Sequence, residues 1–232
     1  MISIIICSRT ATLSKELTLN ISKTIGVDHE LIVIDNSQNQ YCICDAYNLG
    51  VKQSKYDILC FMHDDITYHS QNWGKNVVTH FTDIQVDAIG VAGTPYCAYM
   101  PGPWWGNDIL YEHLLQGDEQ NADAQLKSNG EPDKKRQATI LDGVWLCIRK
   151  PLFNTIGFDD INFKGFHFYD ADICMQIHQV GGKLWCVNNV FFPIAPRSQA
   201  TKDRVESIVS INLMLLKLVT SIIQSLLLSQ WI

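Results

Sequence analysis

Three short polar turns follow three apolar runs near the start of the chain, and they hold the side chains best suited to chemistry. The turns are Ser8-Arg9, Asp35-Asn36 and His63-Asp64-Asp65. Adjacent carboxylates such as Asp64 and Asp65 repel each other, so a nearby cation stabilises them. Hard divalent ions such as Mg²⁺ or Mn²⁺ take oxygen ligands and commonly bridge carboxylates to substrate phosphates. The third turn therefore predicts a metal and phosphate site, whereas an isolated Asp-Asp pair would more often only cap a helix.

The three turns lie close together only if the strands before them form one sheet with their carboxyl ends at the same edge. Apolar runs at residues 2–7, 30–34 and 58–62 predict buried strands, and helical patterns lie between them at 14–24 and 45–54. Continuous apolar strands separated by helices indicate a parallel sheet covered on both faces. Ligands of open α/β sheets bind at the carboxyl ends of the strands. We therefore predict an α/β fold with a mostly parallel central sheet, in which the three turns share one crevice.

The second half of the chain has a less regular pattern. It predicts a fourth strand at 88–92, an aromatic loop at 93–106, an exposed polar excursion at 116–136, strands at 144–149 and 183–187, and a helix at 169–180. A short regular stretch at 139–141 is followed by the Asp142-Gly143 turn.

Composition and charge limit the classes of function. The chain has 232 residues with 47% hydrophobic side chains, enough for the core of one domain, and a formal net charge of −6. The acidic balance argues against a nucleic-acid binder, which would normally show a basic face. Most of the cysteines lie in apolar runs, which favours packing over metal binding. No secretory signal is visible after Met1, so we expect a cytoplasmic protein.

Taken in chain order, several motifs resemble those of glycosyltransferase family 2 and its relatives with the GT-A fold. The motifs are Cys7-Ser8-Arg9, Ile34-Asp35-Asn36-Ser37, Ala46-Tyr47-Asn48-Leu49-Gly50, Phe61-Met62-His63-Asp64-Asp65, Leu141-Asp142-Gly143, Gly157-Phe158-Asp159 and Gly165-Phe166-His167-Phe168-Tyr169-Asp170-Ala171-Asp172. The set spans residues 2–190 and is similar to a bacterial "glycosyltransferase-like" subgroup with His-Asp-Asp in place of Asp-x-Asp. The resemblance implies one GT-A domain over 1–198, with a nucleotide-sugar half at 1–92 and an acceptor half at 93–198.

The same resemblance implies a role for each matching residue. It makes Asp65, with Asp64, the ligand of Mn²⁺ or Mg²⁺, and Asp170 the catalytic base, although Tyr169 replaces the Glu that usually precedes it. Donor contacts are implied for Ser8, Arg9, Asp35, Asn48, Asp64, Asp142 and Gly143, and acceptor contacts for Trp104, Trp105 and His167. The implied reaction is inverting transfer from a nucleotide-diphosphate sugar to a glycan or lipid-linked acceptor, in synthesis of a bacterial surface polysaccharide or glycan.

One family feature is missing, and it leaves other interpretations open. Relatives commonly supply a late histidine to the metal, but no histidine follows His178 here, so water would take that place or Arg197 would instead face the diphosphate. A nucleotide-sugar-binding protein of the same fold with little transferase activity is therefore the alternative. A nucleotidyltransferase would need a Gly-rich basic loop after the first strand, which residues 8–11 do not form. The nucleotide-type strand ends also disfavour a glycoside hydrolase.

The last part of the chain, residues 199–232, predicts an apolar helical tail. Its segment 208–228 has too many polar interruptions for a typical spanning helix. We expect it to lie on the inner face of a membrane, to pair with a second copy in a homodimer, or to pack on the chain's own core.

Overall fold

A computed structural model describes residues 1–97, 104–116, 125–131, 134–190 and 193–194. The strands are β1 (Ile2–Ser8), β2 (His29–Asp35), β3 (Ile58–Met62), β4 (Ala88–Gly90), β5 (Ala92–Thr94), β6 (Tyr111–Gln116), β7 (Gln125–Ser128), β8 (Arg136–Ala138), β9 (Ile140–Leu141), β10 (Trp145–Arg149), β11 (Leu184–Cys186) and β12 (Pro193–Ile194). The helices are α1 (Lys15–Thr24), α2 (Ile43–Gln53), α3 (Trp73–His80) and α4 (Tyr169–Gln179), and short 3-10 turns lie at Trp104–Gly106 and Lys150–Asn154.

The main sheet has seven strands in the order β2-β1-β3-β10-β4-β11-β8. Strands β2, β1 and β3 are parallel, β10 runs antiparallel between β3 and β4, and β11 is parallel to β4. Side chains alternate across a strand, so Ile4 and Ile6 of β1 join the core on one face and Ile5 joins the core on the other. The predicted α/β fold, with a mostly parallel sheet covered by helices on both faces, is confirmed.

A second, smaller sheet corrects two predictions for the middle of the chain. Its order is β12-β6-β5-β9, and β7 pairs with β6. The strand predicted at 88–92 is divided at Val91, because Ala92 pairs with Glu112 outside the main sheet. The polar excursion predicted at 116–136 is also wrong in part, since β6 and β7 pair as antiparallel strands and β8 joins the main sheet beside β11. Cross-strand hydrogen bonds between distant segments outweigh the polar composition that suggested an excursion.

Helix α3 was not predicted, and its packing explains why it forms. Trp73 is fully buried, stacks on Tyr68 with ring centroids 4.2 Å apart, and donates its indole N–H to Thr24 at 3.0 Å. The residue before the helix, Asn72, has a left-handed φ of 60° and makes no side-chain cap. Asn72 is a residue type that commonly caps helices, but its side chain makes no cap here, so tertiary packing stabilises the helix instead.

The predicted helical tail at 199–232 and Arg197 lie outside the described residues. Within the described part of the chain, no helix is both long and apolar enough to cross a membrane.

Candidate functional site

The three polar turns meet at the carboxyl edge of the parallel strands. Ser8 and Asp35 are paired at the ends of β1 and β2, and the Asn36 N–H donates to the Ser8 carbonyl at 2.9 Å. The Arg9 backbone N–H donates to Asp64 Oδ2 at 2.9 Å, which joins the first turn to the third. The crevice expected from the sequence is therefore present, because parallel strands bring their carboxyl ends to one edge.

The Arg9 side chain forms ion pairs with the acidic turn. Its Nη2 lies 2.7 Å and its Nε 3.1 Å from Asp64 Oδ1, while Nη2 lies 3.4 Å from Asp65 Oδ2. The Arg9 side chain is 72% exposed, whereas that of Asp64 is 12% exposed. Hydrogen bonding to Asp64 raises the pKa of Arg9, so the guanidinium stays charged. A cation of the protein itself thus faces the two carboxylates.

A cavity of about 430 Å³ opens beside this ion pair. It is lined by Ser8, Arg9, Thr10, Leu13, Ser14 and Asp64. Its walls come from the loop between β1 and α1 together with the acidic turn. The cavity therefore adjoins three of the residues predicted to contact a donor.

Asp65 carries an oxygen that suits a metal ion. Its Oδ1 is buried and has no hydrogen-bond partner among the described residues. A buried carboxylate oxygen without a partner is costly, and a divalent cation would satisfy it. The Asp64 and Asp65 oxygens together fit a hard cation, although no group of three or more His, Cys, Asp or Glu ligands occurs in the described part of the chain.

Three other residues predicted to contact the nucleotide-sugar donor differ in their exposure and in the hydrogen bonds that they make within the protein. Asp35 is exposed, and the backbone N–H of Ser37 donates to it and lowers its pKa. The Ser8 hydroxyl is buried and lies 3.2 Å from that of Thr10. The Asn48 amide donates to the Phe158 carbonyl at 2.8 Å and accepts from the Phe158 N–H at 3.1 Å. Asn48 thus holds the loop before α4, and its predicted donor contact stays a prediction.

The predicted catalytic carboxyl of Asp170 lies at the start of α4, beside the Asp142-Gly143 turn. Its Oδ2 accepts the Gly143 N–H at 3.1 Å, and its Oδ1 accepts the Ala171 N–H at 2.9 Å. Burial, together with the neighbouring charge of Asp142, raises the pKa of Asp170 to about 6. A carboxyl with a pKa near neutrality suits general-base chemistry.

A hydrogen bond joins the acidic turn to the helix that carries Asp170. His63 Nε2 lies 3.2 Å from the Tyr169 hydroxyl. Tyr169 is buried against Gly143, where a Cβ atom would lie only 2.2 Å from the hydroxyl oxygen, so only glycine fits. The sequence interpretation gave His63 no role. The sequence offered a signal, because the family resemblance would place acidic residues at both of these positions.

The residues predicted to contact the sugar acceptor differ in their exposure and in their contacts with the residues around this junction. Trp104 donates its indole N–H to Asp142 Oδ2 at 2.6 Å, a contact that the sequence did not predict. Trp105 is 60% exposed. His167 packs against Phe166, and Phe166 in turn lies over His63 with ring centroids 5.3 Å apart. Trp104 is thus tied to the carboxylate cluster, while Trp105 faces solvent.

Comparisons with known proteins agree on the fold. The sequence profile of the family described as "Glycosyltransferase like family" matches residues 3–200. Among solved structures, GalNAc-T7 with UDP, GalNAc and Mn²⁺ matches with a TM-score of 0.58 at 12% identity, over 85% of this chain and 43% of that one. The mannosyltransferase PcManGT from Pyrobaculum calidifontis, in complex with GDP-Man and Mn²⁺, matches with a TM-score of 0.56 at 12% identity, over 86% of this chain and 58% of that one.

This chain therefore spans less than two thirds of either solved protein. No curated protein matched the sequence.

Proposed function

Because the chain belongs to the glycosyltransferase-like family, we propose that it transfers a sugar from a nucleotide-diphosphate donor to an acceptor hydroxyl, with inversion at the anomeric carbon. The observation that carries this proposal is the hydrogen bond between His63 and Tyr169, which joins two acidic centres. The donor-side turn is bonded to α4 through His63 and Tyr169, and α4 begins with the Asp170 carboxyl. A direct displacement needs a donor site and a base held close to each other.

The donor side of the site is assigned to the strand-end turns. Asp35 is exposed at the end of β2, where its carboxylate can accept hydrogen bonds from a nucleobase or ribose. Arg9 supplies a guanidinium suited to a diphosphate. The solved neighbours hold UDP in one case and GDP-Man in the other. We propose the same class of ligand for this chain, a nucleotide or nucleotide sugar.

Asp65 and Asp64 are the residues that would hold a divalent metal. Mn²⁺ is present in both solved neighbours, and the buried Asp65 Oδ1 has no partner among the described residues. Bound Mn²⁺ or Mg²⁺ would supply positive charge against the diphosphate leaving group. The protein's own contribution is to hold Asp64 through the Arg9 backbone N–H, so that its carboxylate is oriented in advance.

Asp170 is assigned as the general base. Each of its oxygens accepts one backbone N–H, which leaves lone pairs to accept the proton of an acceptor hydroxyl. With a pKa of about 6, the carboxyl is ionised at neutral pH and still basic enough to take a proton. No covalent sugar–enzyme intermediate is needed, because the acceptor oxygen attacks from the face opposite the departing diphosphate.

Trp104 and Trp105 are assigned to the acceptor, a glycan or lipid-linked sugar of a surface polysaccharide. Aromatic rings stack on the apolar faces of sugars. Trp104 is oriented by its bond to Asp142, whereas the exposed Trp105 is open to a ligand. His167 remains a predicted acceptor contact. The proposed contact of residues 208–228 with a membrane or a second copy concerns a segment outside the described residues.

A donor screen tests the proposal. UDP-, GDP- and dTDP-sugars are incubated with the protein and Mn²⁺, and release of the nucleotide is measured with and without candidate sugar acceptors. We expect Asp65→Asn to reduce turnover by roughly a hundredfold or more. Asp28→Asn is the matched control, because Asp28 is exposed before β2 at the opposite edge of the sheet. Full turnover in Asp65→Asn would remove the metal role from this turn.

A second candidate function is binding of a nucleotide sugar without transfer. It is favoured by the ion pair of Arg9 with Asp64, together with the absence of a third metal ligand in the described part of the chain. Calorimetric titration with UDP, GDP and dTDP, beside the turnover screen, separates the two functions. Tight nucleotide binding with no turnover for any donor would favour the binding protein.

A further inference from the structure

We propose that Arg9 competes with the divalent metal for the acidic turn, covering Asp64 and Asp65 until a donor arrives and then turning onto the donor diphosphate. This inference rests on the proposed function and describes how the same site is regulated. It predicts a weak site for metal alone and a strong site for metal and nucleotide together.

The contacts place the guanidinium where a metal would bind. Arg9 reaches both carboxylates, with Nη2 at 2.7 Å from Asp64 Oδ1 and 3.4 Å from Asp65 Oδ2. A divalent cation bound to the same oxygens would lie close to the positive charge of the guanidinium, and the repulsion between the two charges opposes metal binding. The guanidinium and the metal therefore compete for this carboxylate pair.

The turn is built to keep its shape when the Arg9 side chain leaves. The Arg9 backbone N–H donates to Asp64 Oδ2 at 2.9 Å, independently of the guanidinium. Withdrawal of the side chain frees Asp64 Oδ1 while Oδ2 remains held. The freed oxygen and the unpartnered Asp65 Oδ1 then offer a cation two carboxylate ligands.

The surroundings allow the Arg9 side chain to move. It is 72% exposed, so few packing contacts hold it on Asp64. The cavity of about 430 Å³ that Arg9 lines provides space next to the acidic turn. A diphosphate entering that space offers a partner of higher charge than one carboxylate, and guanidinium binds phosphate oxygens in a bidentate manner.

Mn²⁺ binding in the absence of nucleotide tests the competition. Free Mn²⁺ is followed by electron paramagnetic resonance during titration of the wild type and of Arg9→Gln. We expect Arg9→Gln to bind Mn²⁺ roughly 3- to 10-fold more tightly, because one ion pair no longer has to be broken. With Mn²⁺ present, calorimetry should show UDP or GDP binding to Arg9→Gln about tenfold more weakly. Opposite changes in the two affinities are the signature of an arginine that moves between the two partners.

Two control variants distinguish the contact of Arg9 with the two carboxylates from a general effect of net charge on Mn²⁺ affinity. Lys15→Gln removes an exposed positive charge at the start of α1 that forms no ion pair with these carboxylates among the described residues. We expect its Mn²⁺ affinity to change by less than about twofold. Arg9→Lys keeps the charge, so its Mn²⁺ affinity should stay nearer to the wild type than that of Arg9→Gln.

Three results would overturn the inference. Equal or weaker Mn²⁺ binding by Arg9→Gln would show that Arg9 does not compete. An equal gain in Lys15→Gln would show that only net charge matters. If neither the wild type nor Arg9→Gln bound Mn²⁺ with or without UDP and GDP, the metal would have to be removed from the proposed function as well, which distinguishes that failure from the first two.

Discussion

Replacing Asp170 by Asn should change how the stability of the protein depends on pH. The carboxyl has an ordinary pKa of 3.8 and a pKa of about 6 in the folded protein, mainly because burial disfavours its charge. A raised pKa in the folded state means that folding favours the protonated acid. The stability it contributes is complete below about pH 4 and is lost as pH rises through about 6. An amide side chain at this position cannot ionise, so Asp170→Asn removes this loss.

The size of the effect follows from the shift. A change of about two pKa units corresponds to about 3 kcal/mol over the whole titration. Between about pH 5 and about pH 8, roughly half of that remains to be lost, so the wild type should lose about 1.4 kcal/mol relative to Asp170→Asn. The measurement is the free energy of unfolding in urea, followed by tryptophan fluorescence, for both proteins across this range.

Asp172 offers a matched control on the same helix. Burial raises its pKa to about 6 as well, and its Oδ2 accepts a hydrogen bond from Gln176 at 2.7 Å. Asp172→Asn should therefore show a similar pH dependence of stability. If Asp170 is the base, only Asp170→Asn should lower turnover, by about a hundredfold or more. The wild-type rate should rise with pH through about 6 as Asp170 ionises.

Two results would refute this reasoning. If the difference in unfolding free energy between the wild type and Asp170→Asn were the same at both ends of the pH range, the carboxyl would not have a raised pKa. If Asp172→Asn lost as much turnover as Asp170→Asn, the loss would reflect the charge or the packing of α4 and not a proton transfer by Asp170.

Two further predictions concern the loops that support the site. Gly143→Ala should lower the free energy of unfolding by about 1–3 kcal/mol, because its Cβ would lie 2.2 Å from the buried Tyr169 hydroxyl. Urea unfolding measures this loss, with Gly157→Ala as the control, because a Cβ at Gly157 would come no closer than 3.7 Å to its nearest neighbour. An equal loss of stability in both variants would contradict the prediction. Asn48→Ala should cost about 1–3 kcal/mol because the Phe158 N–H and carbonyl lose their partners. Calorimetry should then show unchanged nucleotide affinity for folded Asn48→Ala, and a large loss would instead support the donor contact predicted from the family motif.

The central sheet could be predicted well because its signals are local. The apolar runs of β1, β2 and β3 are each continuous, and a polar turn follows each one. Parallel strands then bring those turns together whatever the rest of the chain does. The second sheet was not predictable in this way, since β5 and β6 pair through backbone hydrogen bonds between segments that carry no strong alternation.

The sequence by itself determined which residues meet at the carboxyl edge of the sheet: the acidic pair Asp64-Asp65, Arg9 of the first turn and Asp35 of the second. Only the tertiary structure decided which of them bind one another. The bond of Arg9 to Asp64 joins residues 55 positions apart, and that of His63 to Tyr169 joins residues 106 positions apart. The raised pKa of Asp170 likewise depends on burial and on Asp142, a neighbour from a different turn. Side-chain pairing and desolvation depend on which residues pack together in the folded protein, and a sequence motif does not specify those neighbours.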